Sequence, residues 1–97
     1  MEQCRNKTRE RSEQELKPLI NRLNRIEGQV RGLKNMLEKN AYCVDILVQT
    51  LAARAALNGF IREILAGHIR SCVANDIRAG KDETIDELIY TLQKLMN

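Results

Sequence analysis

Three side chains in this 97-residue chain have the chemistry of a soft metal site: Cys43, His68 and Cys72. His68 is the only histidine, and it stands four residues before Cys72. That spacing puts two side chains on one helix face, a turn apart, where both can reach one ion. Cys43 lies far upstream, and on one continuous helix it would be about 37 Å from His68 at 1.5 Å per residue. It cannot meet the other two within its own chain. If two copies of the helix run antiparallel, Cys43 of one comes opposite His68 and Cys72 of the other, and a twofold axis makes two equivalent sites. Two thiolates and an imidazole suit Cu(I), with Zn(II) or Ni(II) as alternatives where more donors are available. No fourth ligand of the structural zinc type stands near these three. A cysteine beside a histidine is also a nucleophile with its base, and a cysteine alone is often a small buried hydrophobe. No Gly-rich phosphate loop, oxyanion hole or carboxylate pair accompanies them, so no enzymatic activity is expected.

The elements that must hold these residues are helical. Leu16, Leu19, Ile20, Leu23, Ile26, Val30, Leu33 and Leu37 recur at three and four, one apolar stripe on a helix of about six turns. Ser12 and Glu15 have the spacing of a capping box, and Pro18 suits a first helical turn, so the helix is expected from residue 16 or 17. Lys39-Asn40 is its stop. Residues 43–79 contain no proline and keep an apolar face through Leu47, Leu51, Leu57, Ile61, Ile64, Leu65 and Ile69. They read as one helix of about 55 Å, with Gly59 and Gly67 as possible kinks and Gly80 as its C-terminal cap. Thr84 and Glu87 have capping-box spacing before a last helix carrying Ile85, Leu88, Ile89, Leu92 and Leu95. The expectation is an all-α protomer of two long helices and one short, with a single domain over 16–97 behind a basic arm over 1–15. The long helix is too long for its neighbours to cover, so it should pair with its copy in another subunit.

Composition narrows the partners. Aromatic residues make up only 3% of the chain, so the core must be aliphatic, and a chain this small gains stability by self-association. The net charge of +3 is unevenly placed: residues 1–39 carry ten Lys/Arg against six Asp/Glu, residues 40–97 six against seven. A basic first helix, repeated in an oligomer, favours a polyanion. Arg22 and Arg25 lead the candidates for DNA contact. Arg31, Lys34, Arg54 and the arm residues Arg5, Lys7, Arg9 and Arg11 follow. There is no helix-turn-helix, zinc-finger or basic-zipper signature, so contact would come from a broad basic surface binding phosphates. No apolar run approaches the roughly 20 residues of a membrane span, and the N-terminus has no signal-peptide core. A cytoplasmic protein is expected, without a membrane partner, and its three cysteines argue against a disulfide framework.

Four segments together resemble the CsoR/RcnR family of bacterial metal-sensing repressors: RLNRIEGQVRGL from Arg22 to Leu33, YCVDILVQ from Tyr42 to Gln49, the His68–Cys72 pair, and IDEL from Ile85 to Leu88. The resemblance runs from Leu16 to Leu95. It implies a three-helix protomer, an antiparallel four-helix-bundle dimer and a tetramer of two dimers. It implies a repressor that holds double-stranded operator DNA when metal-free and leaves it on binding metal. Within the family, Cys43, His68 and Cys72 resemble the Cu(I) branch, with Tyr42 and Glu87 linking the site to the scaffold. The persulfide-responsive branch has Cys in place of His68. The nickel/cobalt branch adds a ligand near the N-terminus, where Cys4 stands. The alternatives to a Cu(I) sensor are thus a nickel/cobalt sensor or a thiol-reactive repressor in which Cys43 and Cys72 form a persulfide or disulfide link.

Overall fold

A computed structural model describes residues 10–96, which are helical throughout apart from short connections. The elements are α1 (Glu13–Glu38), α2 (Cys43–His68), a π-helical turn (Ile69–Val73), a short α3 (Ala74–Arg78) and α4 (Glu83–Met96). Because α2, the π-turn and α3 are continuous, the second helix runs unbroken from Cys43 to Arg78. Three helical rods result, two long and one short, as the periodicity requires. The described residues divide into two compact units, 11–63 and, together with Glu10, 64 onward.

Helix α1 starts earlier than its sequence suggests. Ser12 is the N-cap: its Oγ accepts the Glu15 N–H at 3.2 Å, and the Glu15 carboxylate accepts the Ser12 N–H at 3.3 Å. This reciprocal pair satisfies donors that a helix start otherwise leaves open, and it overrides the preference of Pro18 for a first turn. Pro18 lies inside the helix instead. There its missing N–H leaves one carbonyl on this exposed segment without a helical donor. Residues 13–15 of the expected arm are therefore helix, while Arg5, Lys7, Arg9 and Cys4 lie outside the described residues.

Both long rods end as expected, and by the same device. Asn40 (φ 56°) and Gly80 (φ 82°) are left-handed. After α1, Ala41 donates to Met36 O at 2.9 Å and Asn40 to Leu37 O at 3.2 Å; after α3, Lys81 donates to Asp76 O at 2.8 Å and Gly80 to Ile77 O at 3.0 Å. This is the paired closure of a Schellman motif, which recovers carbonyls stranded at a helix end.

In residues 11–63, the buried positions are Ile26 on α1 and Ala53 and Gly59 on α2. Exposed on α2 are Leu47, Val48 and Leu51, each with more than half of its surface accessible. In the second unit the buried residues are Cys72, Val73, Asp76 and Thr84. The Thr84 hydroxyl donates to Asp76 Oδ2 at 2.7 Å. The capping box expected of Thr84 and Glu87 does not form: α4 starts one residue before Thr84. Its hydroxyl serves α3 rather than its own helix. By length and average composition, Cys43–Arg78 is also apolar enough to cross a membrane. This corrects the expectation that no apolar run approaches that length, because alanines carry the average across scattered charges.

Candidate metal centre and nucleic-acid interface

Each predicted ligand sits at a defined point on the second helical rod. Cys43 is the first residue of α2 and carries a free, exposed thiol. His68 is the last residue of α2 and is half-buried. Cys72 lies in the π-turn with only 2% of its surface accessible and is disulfide-bonded. The cysteine count argued against a disulfide framework, yet this residue is in a disulfide. An odd cysteine count excludes complete pairing, not one bond. Among the described residues no cluster of three His, Cys, Asp or Glu is close enough to hold an ion. His68 and Cys72 do share one short stretch of helix, while the accessible Cys43 thiol stands at the opposite end of α2.

The π-turn is what the sequence could not foretell. The Ala74 N–H reaches back five residues to Ile69 O, the mark of a π-helix, as well as to Ser71 O. Such turns are rare and concentrate at functional sites. Ser71, beside Cys72, donates its hydroxyl to Gly67 O at 2.7 Å and also approaches Cys72 Sγ at 3.8 Å. Gly67 is thus a backbone acceptor at the edge of the turn, where the sequence suggested a kink. Tyr42 precedes α2 and is exposed, and Glu87 is half-buried on α4. The Glu87 carbonyl accepts the Thr91 hydroxyl at 2.9 Å.

Among the described residues, the candidate DNA-contacting residues Arg11, Arg22, Arg25, Arg31, Lys34 and Arg54 fall in the 11–63 unit. Arg25, Arg31 and Lys34 are exposed along α1, and Arg54 is exposed on α2. Arg22 and Arg25 line a shallow hollow of about 590 Å³ with Lys17, Asn21 and Glu13. A second hollow of about 490 Å³ has Arg31 and Lys34 beside Leu23, Ile26 and Val30. Arg22 differs from the rest in being half-buried. Its guanidinium lies against Gly59 of α2: a Cβ there would stand 3.0 Å from Arg22 Nη1 and 3.7 Å from Arg62 Nη2. Sequence reading marked Gly59 as a kink and passed over Arg62. The available signal was an interior helix glycine, which signifies close approach as often as bending.

Comparison with known proteins places this arrangement. The sequence model of the metal-sensitive transcriptional repressor family matches residues 15–94. The chain is 46% identical over 85 residues to the copper-sensing transcriptional repressor CsoR of Bacillus subtilis (strain 168), covering 87% of this chain and 84% of that protein. It is 41% identical over 59 residues to the copper-sensing transcriptional repressor RicR of Mycobacterium tuberculosis, covering 61% and 62%. Its structure is similar to the crystal structure of the copper-sensing repressor CsoR with Cu(I) from Geobacillus thermodenitrificans, with a TM-score of 0.86 and 41% identity over 93% of this chain and 95% of the other. It is also similar to the nickel-responsive transcriptional regulator InrS, with a TM-score of 0.71 and 35% identity over 90% and 96%.

Proposed function

Because the chain belongs to the metal-sensitive transcriptional repressor family, we propose that it is a Cu(I)-responsive repressor, bound to operator DNA when metal-free and released when Cu(I) binds. The donor set carries this reading: Cys43, His68 and Cys72 are two sulfurs and one imidazole, a soft group suited to Cu(I). Of the two solved structures, the copper-sensing repressor with Cu(I) is more similar to this chain than the nickel-responsive regulator is, at 41% against 35% identity and a TM-score of 0.86 against 0.71. His68 and Cys72 of one chain and Cys43 of an antiparallel neighbour would hold the ion, with Cys72 reduced to the thiolate. Bound there, the ion supplies a coordinative link between two chains. Tyr42 and Glu87 would orient the ligands from the scaffold.

The exposed apolar row of α2 fits an interface between copies of the chain, first an antiparallel dimer and then a tetramer. Arg22, Arg25, Arg31, Lys34 and Arg54 would contact DNA phosphates, and the protein would work in the cytoplasm. As a repressor it would act by binding and release alone, with no catalytic step. Metal and DNA are coupled reciprocally: whatever free energy one ligand removes from the other's binding, commonly about 1–3 kcal/mol, is the same in both directions.

Replacing Cys43→Ala tests the ligand set. The variant should bind operator DNA as the parent does and stay bound when Cu(I) is added, measured anaerobically by fluorescence anisotropy. Release of DNA on Cu(I) addition would overturn the assignment. A second reading is a thiol-reactive repressor: Cys72 takes part in a disulfide, although Cys43, the partner expected from the sequence, keeps a free thiol. Mass spectrometry after polysulfide treatment separates the two, because a metal sensor gains no covalent sulfur when it responds.

A further inference from the structure

Two guanidinium groups converge on Gly59, Arg22 from α1 and Arg62 from α2. Their distances from the point a Cβ would occupy, 3.0 and 3.7 Å, limit the separation of Arg22 Nη1 and Arg62 Nη2 to the sum of the two, 6.7 Å. Like charges held this near each other repel, and among the described residues no carboxylate forms an ion pair with either. Gly59 itself is buried, while Arg62 is exposed and Arg22 half-buried, so the pair faces solvent with its back against helix backbone. One tetrahedral anion accepting a charge-assisted bond of about 2.8 Å from each nitrogen bridges such a gap. Guanidinium groups also suit phosphate oxygens better than ammonium groups do.

We infer that Arg22 and Arg62 jointly grip a single backbone phosphate of bound DNA, and that Gly59 is glycine because a side chain would unseat the pair. The inference rests on the DNA-binding reading above and adds to it a residue, a seat and a coupling between α1 and α2. Arg25 and Lys17, in the hollow beside Arg22, continue the positive track on one side.

The test is fluorescence anisotropy on a mixed-sequence 30-base-pair duplex, in a KCl series, with the full-length protein. Arg62→Ala and Arg22→Ala should each weaken binding by about tenfold, the value of one hydrogen bond to a charged group. The double variant should lose far less than the product of the single losses, because either change alone breaks the shared grip. Gly59→Ala should also weaken binding, yet melt no lower than the parent, since alanine favours the helix and the displaced atom is the tip of a flexible side chain. Arg78→Ala, an equal loss of charge in the other unit, should stay within twofold. Parental binding by Arg62→Ala, or a double loss equal to the product, overturns the shared grip while leaving the DNA reading standing. If the parent protein shows no salt-dependent binding, both fall together.

Discussion

The two units of this small chain are held by opposite means. In residues 11–63, burial rests on one isoleucine, one alanine and one glycine, and most of the large aliphatic side chains remain exposed. In residues 64 onward, Cys72 and Val73 are buried, and so is a threonine–carboxylate bond. A buried polar bond specifies one arrangement, because either partner left alone loses its solvation without recompense. An open aliphatic row specifies little by itself and waits for another apolar surface. The difference matches the proposed division of labour. The region carrying the DNA-facing arginines would complete its core between subunits, and the region carrying His68 and Cys72 is locked internally.

The largest expected effect probes the open side. Leu47→Asp puts a charge in the middle of the exposed row of α2. If that row is an interface, association should weaken by about 3 kcal/mol or more, on the order of a hundredfold in Kd. Sedimentation equilibrium would show monomer where the parent self-associates. An unchanged oligomer would remove the contrast, leaving the row as mere surface.

A smaller effect sharpens the locked side. Thr84→Val keeps the shape and removes the hydroxyl that donates to Asp76. It should cost about 2 kcal/mol in chemical denaturation at fixed protein concentration, the range for a hydrogen bond to a charged group. Hydrogen exchange should quicken in α3 and α4 and leave α1 unaltered. A uniform loss across both units would mean that they unfold as one body, and the comparison would fail. Least of all, Ser12→Ala should cost about 1 kcal/mol by opening the capping box of α1. Its effect should be confined to exchange in the first turn.

Much of this was legible from the residues. The three-and-four spacing of aliphatic side chains named both long rods, and Asn40 and Gly80 marked their ends, because left-handed closure depends on the residue at the turn. The candidate ligands were legible as types and spacings, and so was the impossibility of joining Cys43 to His68 along one helix. Legibility failed wherever a local rule had a competitor. Ser12 and Glu15 against Pro18 was a contest between two local signals, and the cap with two hydrogen bonds won. Thr84 has the right spacing for a cap, yet its hydroxyl went to Asp76, eight residues away.

The sequence by itself determined the helices, their punctuation and the stock of sulfur, imidazole and guanidinium groups, since each depends on residues within a turn or so of one another. Tertiary structure alone decided that five residues around Cys72 would wind as a π-turn, that Thr84 would serve Asp76, and that Arg22 would lie on Gly59 beside Arg62. The last two are contacts through space between separate elements, and the first is a change of winding that composition does not signal. Their energies depend on where neighbouring backbone runs, which no periodicity along the chain encodes.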